Sequence, residues 1–205
     1  MAELIAYLPP LDATGEPLTL AEAKLHARVD ADLTLDDPLI EGILIPGARQ
    51  LAETQTGSAI RPARYRQRLR SFPAKGGDIA VTHGLVMAID SITYADASGV
   101  QQTLPTTAYA VAVIDRETLI SPTSGNWPGT TPGLKNIEIT YTAGITPANL
   151  AAQFPSVRHW LLFAVAWGIA QKELFMISHG RQGFTELPTD YIAGLLDPIT
   201  IRTRF

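Results

Sequence analysis

The chain has 205 residues, 46% of them hydrophobic and 18% charged, which suits a globular protein with a real core and excludes a disordered tail. It contains no cysteine, so disulfide staples, thiolate metal sites and cysteine nucleophiles are ruled out. The net charge of −4 argues against general affinity for nucleic acid, and the charge is uneven: Met1 to Gly57 holds three basic residues against ten acidic ones, a split that suits a chain touching copies of itself.

The first ten residues lack the basic start and long apolar stretch of a signal peptide, and Trp160 to Ala170 is too short an apolar run to span a bilayer. A soluble protein made in a cytoplasm is expected. Thr19-Leu20-Ala21-Glu22 is a capping box, predicting a short helix to Val29 that buries Leu20, Ala23 and Ala27. Asp37-Pro38 supplies an N-cap and a first-turn proline for a second helix. Leu39, Ile40, Ile43, Leu44, Gly47 and Leu51 keep helical spacing up to Gly57, the expected C-terminal stop. Pro46 interrupts that pattern and predicts a kink near Gly42.

From Arg61 to Gly144 the period shortens to that of strands. Arg64 to Phe72 alternates, and Ile89–Tyr94 and Val100–Leu104 flank the turn Asp96-Ala97-Ser98-Gly99 as a hairpin. Ala108 to Ile114 and Asn136 to Thr142 are further strand candidates, and Ser121 to Gly129 reads as loop. Helix returns after Pro155, where Val157, Trp160, Leu161, Ala164, Val165, Gly168 and Ile169 make a segment apolar nearly all round, as in a central buried helix. The tryptophans at positions 160 and 167 read as core, and a last short helix fits Thr189 to Leu196. The fold class is α+β: a helical body, with two N-terminal helices and a long buried C-terminal one, carrying an inserted small antiparallel β-sheet. As one domain it parses into helices over 1–57, a β-rich insertion over 58–146, helices over 147–198 and an extended tail over 199–205.

Catalytic and metal chemistry find little support. His26, His83, His159 and His179 form no paired metal-ligand spacing, and neither a nucleophile elbow nor a phosphate-binding glycine loop occurs. Gly180-Arg181-Gln182-Gly183 reads as a turn rather than a nucleotide clamp. Asp30, Asp32, Asp36 and Asp37 crowd one loop, where helix capping and solvation account for them. The arginines stand out. Arg64, Arg66, Arg68 and Arg70 fall on one face of a strand, with Tyr65, Gln67 and Leu69 opposite. Such a row meets solvent on an outer strand, an acidic neighbouring subunit, or a nucleic-acid backbone. Asp30, Asp32 and Asp36 are candidate acids for the subunit contact.

Glu16-Pro17-Leu18-Thr19-Leu20-Ala21-Glu22-Ala23-Lys24 followed by Arg28-Val29-Asp30 resembles the opening signature of the head–tail connector (adaptor) proteins of tailed bacteriophages. The Asp37–Gly57 helix, with Ala48-Arg49 in its body, is similar to the family's second helix, although Pro46-Gly47 departs from its alanine-rich pattern. Ile92-Thr93-Tyr94, Gly125-Asn126-Trp127-Pro128, the Tyr141-Thr142-Ala143-Gly144 strand end, Glu186-Leu187-Pro188 and Leu195-Leu196-Asp197-Pro198 follow in the family's order. The resemblance implies a virion protein at the capsid–tail junction, assembled in the host bacterial cytoplasm and also used by gene transfer agents. It implies a ring of about twelve copies under the portal protein, a stopper or tail terminator on the tail side, and DNA passing through. It implies no enzyme activity, cofactor, metal or membrane contact.

Two rivals are a DNA-binding packaging accessory using the Arg64–Arg70 strand and a carbohydrate- or ester-active virion enzyme built on the scattered acids. At the C-terminus, Ile199, Ile201, Thr203 and Phe205 alternate with Thr200, Arg202 and Arg204, a strand pattern. Either it packs on its own sheet, or it adds to a partner's edge; the resemblance implies the portal, bound through Ile199, Ile201, Arg202, Arg204 and Phe205.

Overall fold

Thr19 opens helix α1 (Leu20–Ala27) as the capping box predicts: its hydroxyl accepts from the Glu22 amide at 3.2 Å, and the Glu22 carboxylate accepts from the Thr19 amide at 2.8 Å. The computed structural model describes residues 4–7, 11–13, 15–131, 133, 136–170 and 194–201. The chain divides into a helical unit, Glu16–Thr56 with Thr146–Thr200, and a β unit, Met1–Gly15 with Gly57–Ile145 and Ile201–Phe205.

In the helical unit α1 is followed by α2 (Asp37–Leu39), a π-helical turn (Ile40–Leu44) and α3 (Ile45–Thr56). The kink expected near Gly42 takes the form of that wide turn. Pro46 has no amide hydrogen for the Gly42 carbonyl and its ring crowds that carbonyl, so the preceding turn opens and Ile45 N–H reaches Ile40 O instead. Asp37 is the first residue of α2 rather than its N-cap, because its carboxylate is drawn to Lys24. Gly57 follows α3 at φ 69°, the left-handed stop its position predicts.

Helix α4 (Pro147–Gln153) opens the stretch expected to be helical over 147–198, and Thr146-Pro147 is a cap followed by a first-turn proline; the Thr146 hydroxyl accepts from the Asn149 amide. Helix α5 (Pro155–Ala170) is the buried centre of this unit, packing on α1, α3 and α4 with Val157, Trp160, Leu161, Leu162 and Val165 inside. A side chain at Gly168 would meet Leu44 at 2.9 Å, so glycine is what lets α5 approach the π-turn. Trp160 is core, as expected, but Trp167, two turns further along the same side of α5, is 46% exposed. The final helix expected over Thr189–Leu196 falls mostly outside the described residues.

The β unit contains two antiparallel sheets where the sequence predicted one. The larger has the order β1-β2-β8-β4-β5, from β1 (Leu4–Tyr7), β2 (Ala63–Leu69), β4 (Val86–Ala95), β5 (Gln101–Thr103) and β8 (Ile137–Ala143). The smaller has the order β3-β7-β6, from β3 (Ile79–Ala80), β6 (Tyr109–Ile114) and β7 (Glu117–Pro122). Strand β7 includes Ser121 and Pro122, which the sequence placed in loop; Pro122 ends the strand, where its missing donor costs least. The β4–β5 hairpin closes as predicted, with Gly99 at φ 82° and the Asp96 carboxylate accepting from the Ser98 and Val100 amides. One core joins both sheets: Tyr65, Leu69, Ile92, Ile137, Ile139 and Tyr141 from the larger, Ile79, Tyr109 and Ile120 from the smaller. Phe72 stacks on Trp127 at 4.9 Å beside it, and the Trp127 indole donates to Gly77 O.

Candidate assembly surfaces

Strand β2 sorts its residues as the alternation predicts. Tyr65, Gln67 and Leu69 are buried and pair across the sheet with Tyr141, Ile139 and Ile137. Arg64, Arg66, Arg68 and Arg70 stand on the more open side. Buried Gln67 is fully used: its amide donates to Ala80 O and its carbonyl accepts from the Thr82 amide and hydroxyl, which ties the two sheets together.

The strand is not an outer one, however. It lies between β1 and β8, and its arginines face acids of their own chain. Arg68 Nε donates to Glu138 on β8 at 2.7 Å, and Arg64 reaches Asp12 at 3.1 Å and Asp90 on β4 at 3.8 Å. The neighbouring strands thus supply much of the anion that a row of like charges requires. Arg66, set opposite Thr140, keeps a buried Nε without a hydrogen-bond partner among the described residues.

The acidic loop is held by a lysine of α1. Lys24 is buried, and its ammonium donates to Ala31 O, Leu33 O and Asp37 Oδ1 at 3.0, 2.8 and 2.8 Å. This clamp fixes the loop so that Asp30, Asp32 and Leu35 are exposed, Leu35 at 93%, with Asp36 half-buried. A lysine on an amphipathic helix ordinarily reads as solvated, so only its place at the edge of the apolar stripe could have signalled burial.

Two motifs of the resemblance meet in the helical unit. Arg49, from the second motif, donates to Glu16, from the first, at 2.7 Å and to Glu53 at 2.6 Å. Burial works against its charge, but the paired carboxylates outweigh that and raise its pKa. Arg158 on α5 donates to Glu22 at 2.5 Å, joining the capping box to the central helix. Burial tends to raise the Glu22 pKa, yet the Thr19 and Arg158 hydrogen bonds prevail and lower it.

At the C-terminus the first residue of the expected strand pattern belongs to a turn. Asp197–Ile199 is a 3-10 turn, and Ile199 is wholly buried in the helical unit, so Pro198 ends one compact segment instead of beginning an extended one. Ile201 lies in the β unit beside Gly57 and Gly84. Arg202, Arg204 and Phe205 lie outside the described residues, as does the Gly180–Gly183 loop.

Chemistry of the enzymatic kind has few starting points here. Among the described residues no group of three histidine, aspartate or glutamate side chains is placed to hold a metal ion, and no helix is long and apolar enough to cross a membrane. His83 is half-buried against Tyr65, with ring centroids 4.4 Å apart, and its Nδ1 is 2.8 Å from the Tyr141 hydroxyl. Burial pushes its pKa down to about 4 and raises that of Tyr141, so the pair is held neutral.

No protein-family profile matches the chain, and no curated protein matches it by sequence. Its fold does match solved structures. A chain in the neck of an empty gene transfer agent particle, computed with C6 symmetry, superposes with a TM-score of 0.72 at 19% identity, covering 100% of this chain and 97% of that one. A chain in the virion of a native gene transfer agent particle gives 0.72 at 19% identity, covering 98% and 96%. One in the neck of the native particle, computed with C12 symmetry, gives 0.67 at 16% identity, covering 100% and 97%. The chain therefore has, over its full length, the α+β fold of chains in the necks of gene transfer agent particles, in agreement with the head–tail connector motifs in its sequence.

Proposed function

We propose that the chain is a structural neck protein of a tailed-phage-like particle. Copies form a ring, of about twelve, that joins the portal at the capsid vertex to a tail-side stopper or terminator and lets DNA pass without reading its sequence. The observation that supports this most is the full-length match of fold to chains in particle necks computed with C6 and C12 symmetry. It is a scaffold role, without catalysis or cofactor. The arginine row is poorly suited to the rival role of gripping phosphate, since Asp12, Asp90 and Glu138 already engage Arg64 and Arg68. Portal docking belongs in this reading to the C-terminal residues Arg202, Arg204 and Phe205; Ile199 is withdrawn from it by burial.

Light scattering and particle imaging of the purified protein, alone and mixed with portal, test the proposal. A monomer or small oligomer alone and a closed ring on the portal is expected. A stable two-fold dimer in both conditions would overturn it.

A further inference from the structure

Strand β6 is a sheet edge without a charged side chain. Its sequence is Tyr109-Ala110-Val111-Ala112-Val113-Ile114, and among the described residues it pairs on one side only, with β7. Tyr109, Val111 and Val113 point the same way as their partners Pro122, Ile120 and Thr118, all three of which are buried. Tyr109 reaches the core, but Val111 and Val113 lie beyond it and are 47% and 65% exposed. On the opposite side Ile114 is 47% exposed. From Ala110 to Ile114 both faces of the strand are thus apolar and exposed.

The other edge near it is built differently. Strand β5 has only three residues, Gln101, Gln102 and Thr103, all polar. That is how a solvent-facing edge is normally protected, by brevity and by polar or charged side chains. A six-residue apolar edge left in water pairs with whatever extended chain it meets. The hairpin is also firmly shaped: Asp115 and Arg116 both take left-handed φ, at 49° and 70°, in the two-residue turn that matches strand twist. An exposed apolar edge strand on such a hairpin is suited to docking.

We propose that β6 is covered, in the assembled protein, by a second copy of the chain seated along its open edge. This rests on the ring reading, which also selects the occupant. A ring closes through head-to-tail contacts, in which each copy offers one surface and receives a different one. The strand supplies the offered surface, and the cover on it is a part of the neighbour other than its own β6, since pairing of β6 with β6 would stop at two-fold dimers.

The absence of cysteine makes the test direct, because Val113→Cys carries a unique thiol. With the portal-bound ring assembled from this variant, a photoactivated cross-linker on Cys-bearing position 113 is expected to yield a product of twice the chain mass, joined to a residue outside 109–114. A second variant, Val111→Lys with Val113→Lys, is expected to keep the wild-type melting transition and to form at least tenfold fewer rings. Wild-type ring yield from the lysine variant, or cross-links confined to 109–114 or to the portal, would overturn the inference while leaving the ring reading standing. Absence of rings from the unmodified protein on the portal would remove the ring reading itself, and the inference with it.

Discussion

The Lys24 ammonium and the Asp37 carboxylate meet at 2.8 Å across a loop of twelve intervening residues, with the lysine side chain almost entirely buried. Two carbonyls of the same loop, Ala31 O and Leu33 O, complete its coordination. Replacing Lys24 by methionine keeps the stem's packing but leaves a carboxylate and two carbonyls without their donor. The expected cost is about 2 kcal/mol, below the full penalty for breaking a buried pair because Asp37 is partly open to water. Urea unfolding of Lys24→Met measures it, and a loss under 0.5 kcal/mol, the ordinary surface range of about ±0.5 kcal/mol, would show that the loop is held by other contacts.

Local signals carried much of this fold in the sequence. Thr19 and Glu22 announce α1 because a capping box is a contact between residues three apart, and the Arg64–Arg70 alternation announces β2 because strand period is local. What was not legible depends on distant partners. Lys24 is buried because Asp37 and a loop turn back onto it, and no property of α1 alone requires that. Strand β7 mixes Glu117, Thr118 and Ser121 with apolar residues, and it becomes a strand through β6 on one side and β3 on the other. The arginine face was visible as a face. Its partners Asp90 and Glu138 were not, since only the order β2-β8-β4 brings them alongside.

His83 makes stability pH-dependent. Its pKa in the folded chain is about 4 because burial disfavours the imidazolium, against 6.5 when exposed. The unfolded chain therefore binds the proton first as the pH falls. The contribution is complete above about pH 6.5 and is lost between there and about pH 4, to a limit of about 3 kcal/mol. The lowered pKa values of Glu22 and Asp96 act as the pH falls through the carboxylate range, which overlaps the acid end of that window, and they act alike in the wild type and in a His83 variant. His83→Gln removes the titrating group, so its loss of unfolding free energy from pH 7 to pH 4.5 is expected to be smaller than the wild type's. Parallel curves for the two proteins would sink the assignment.

The pair Arg68–Glu138 bears on the arginine row. Arg68→Glu places two carboxylates across β2 and β8 and is expected to destabilise the chain by about 1 kcal/mol, the scale of a half-buried pair. Adding Glu138→Arg restores the attraction with its direction reversed. If the pair serves only the sheet, the double variant recovers both stability and ring formation on the portal. Recovery of stability without rings would mean that the row also meets an acidic surface of a neighbouring copy, with Asp30, Asp32 and Asp36 the first candidates.

The last prediction separates docking from folding at the C-terminus. Ile199 is wholly buried, so truncation from that residue onward removes core, and Ile199→Ala alone is expected to cost about 2–4 kcal/mol. A deletion that begins at Arg202 leaves Ile199 in the helical unit and Ile201 beside Gly57 and Gly84. In the proposed function Arg202, Arg204 and Phe205 are spent on the portal, with main-chain pairing for affinity and Phe205 filling a pocket. Deleting Arg202–Phe205 is therefore expected to leave the melting temperature of the free protein within a degree or two, a shift of about 0.5 kcal/mol or less, while abolishing co-sedimentation with the portal. Survival of docking after this deletion would move the portal contact elsewhere on the chain. A large drop in melting temperature would mean that the segment belongs to the chain's own fold.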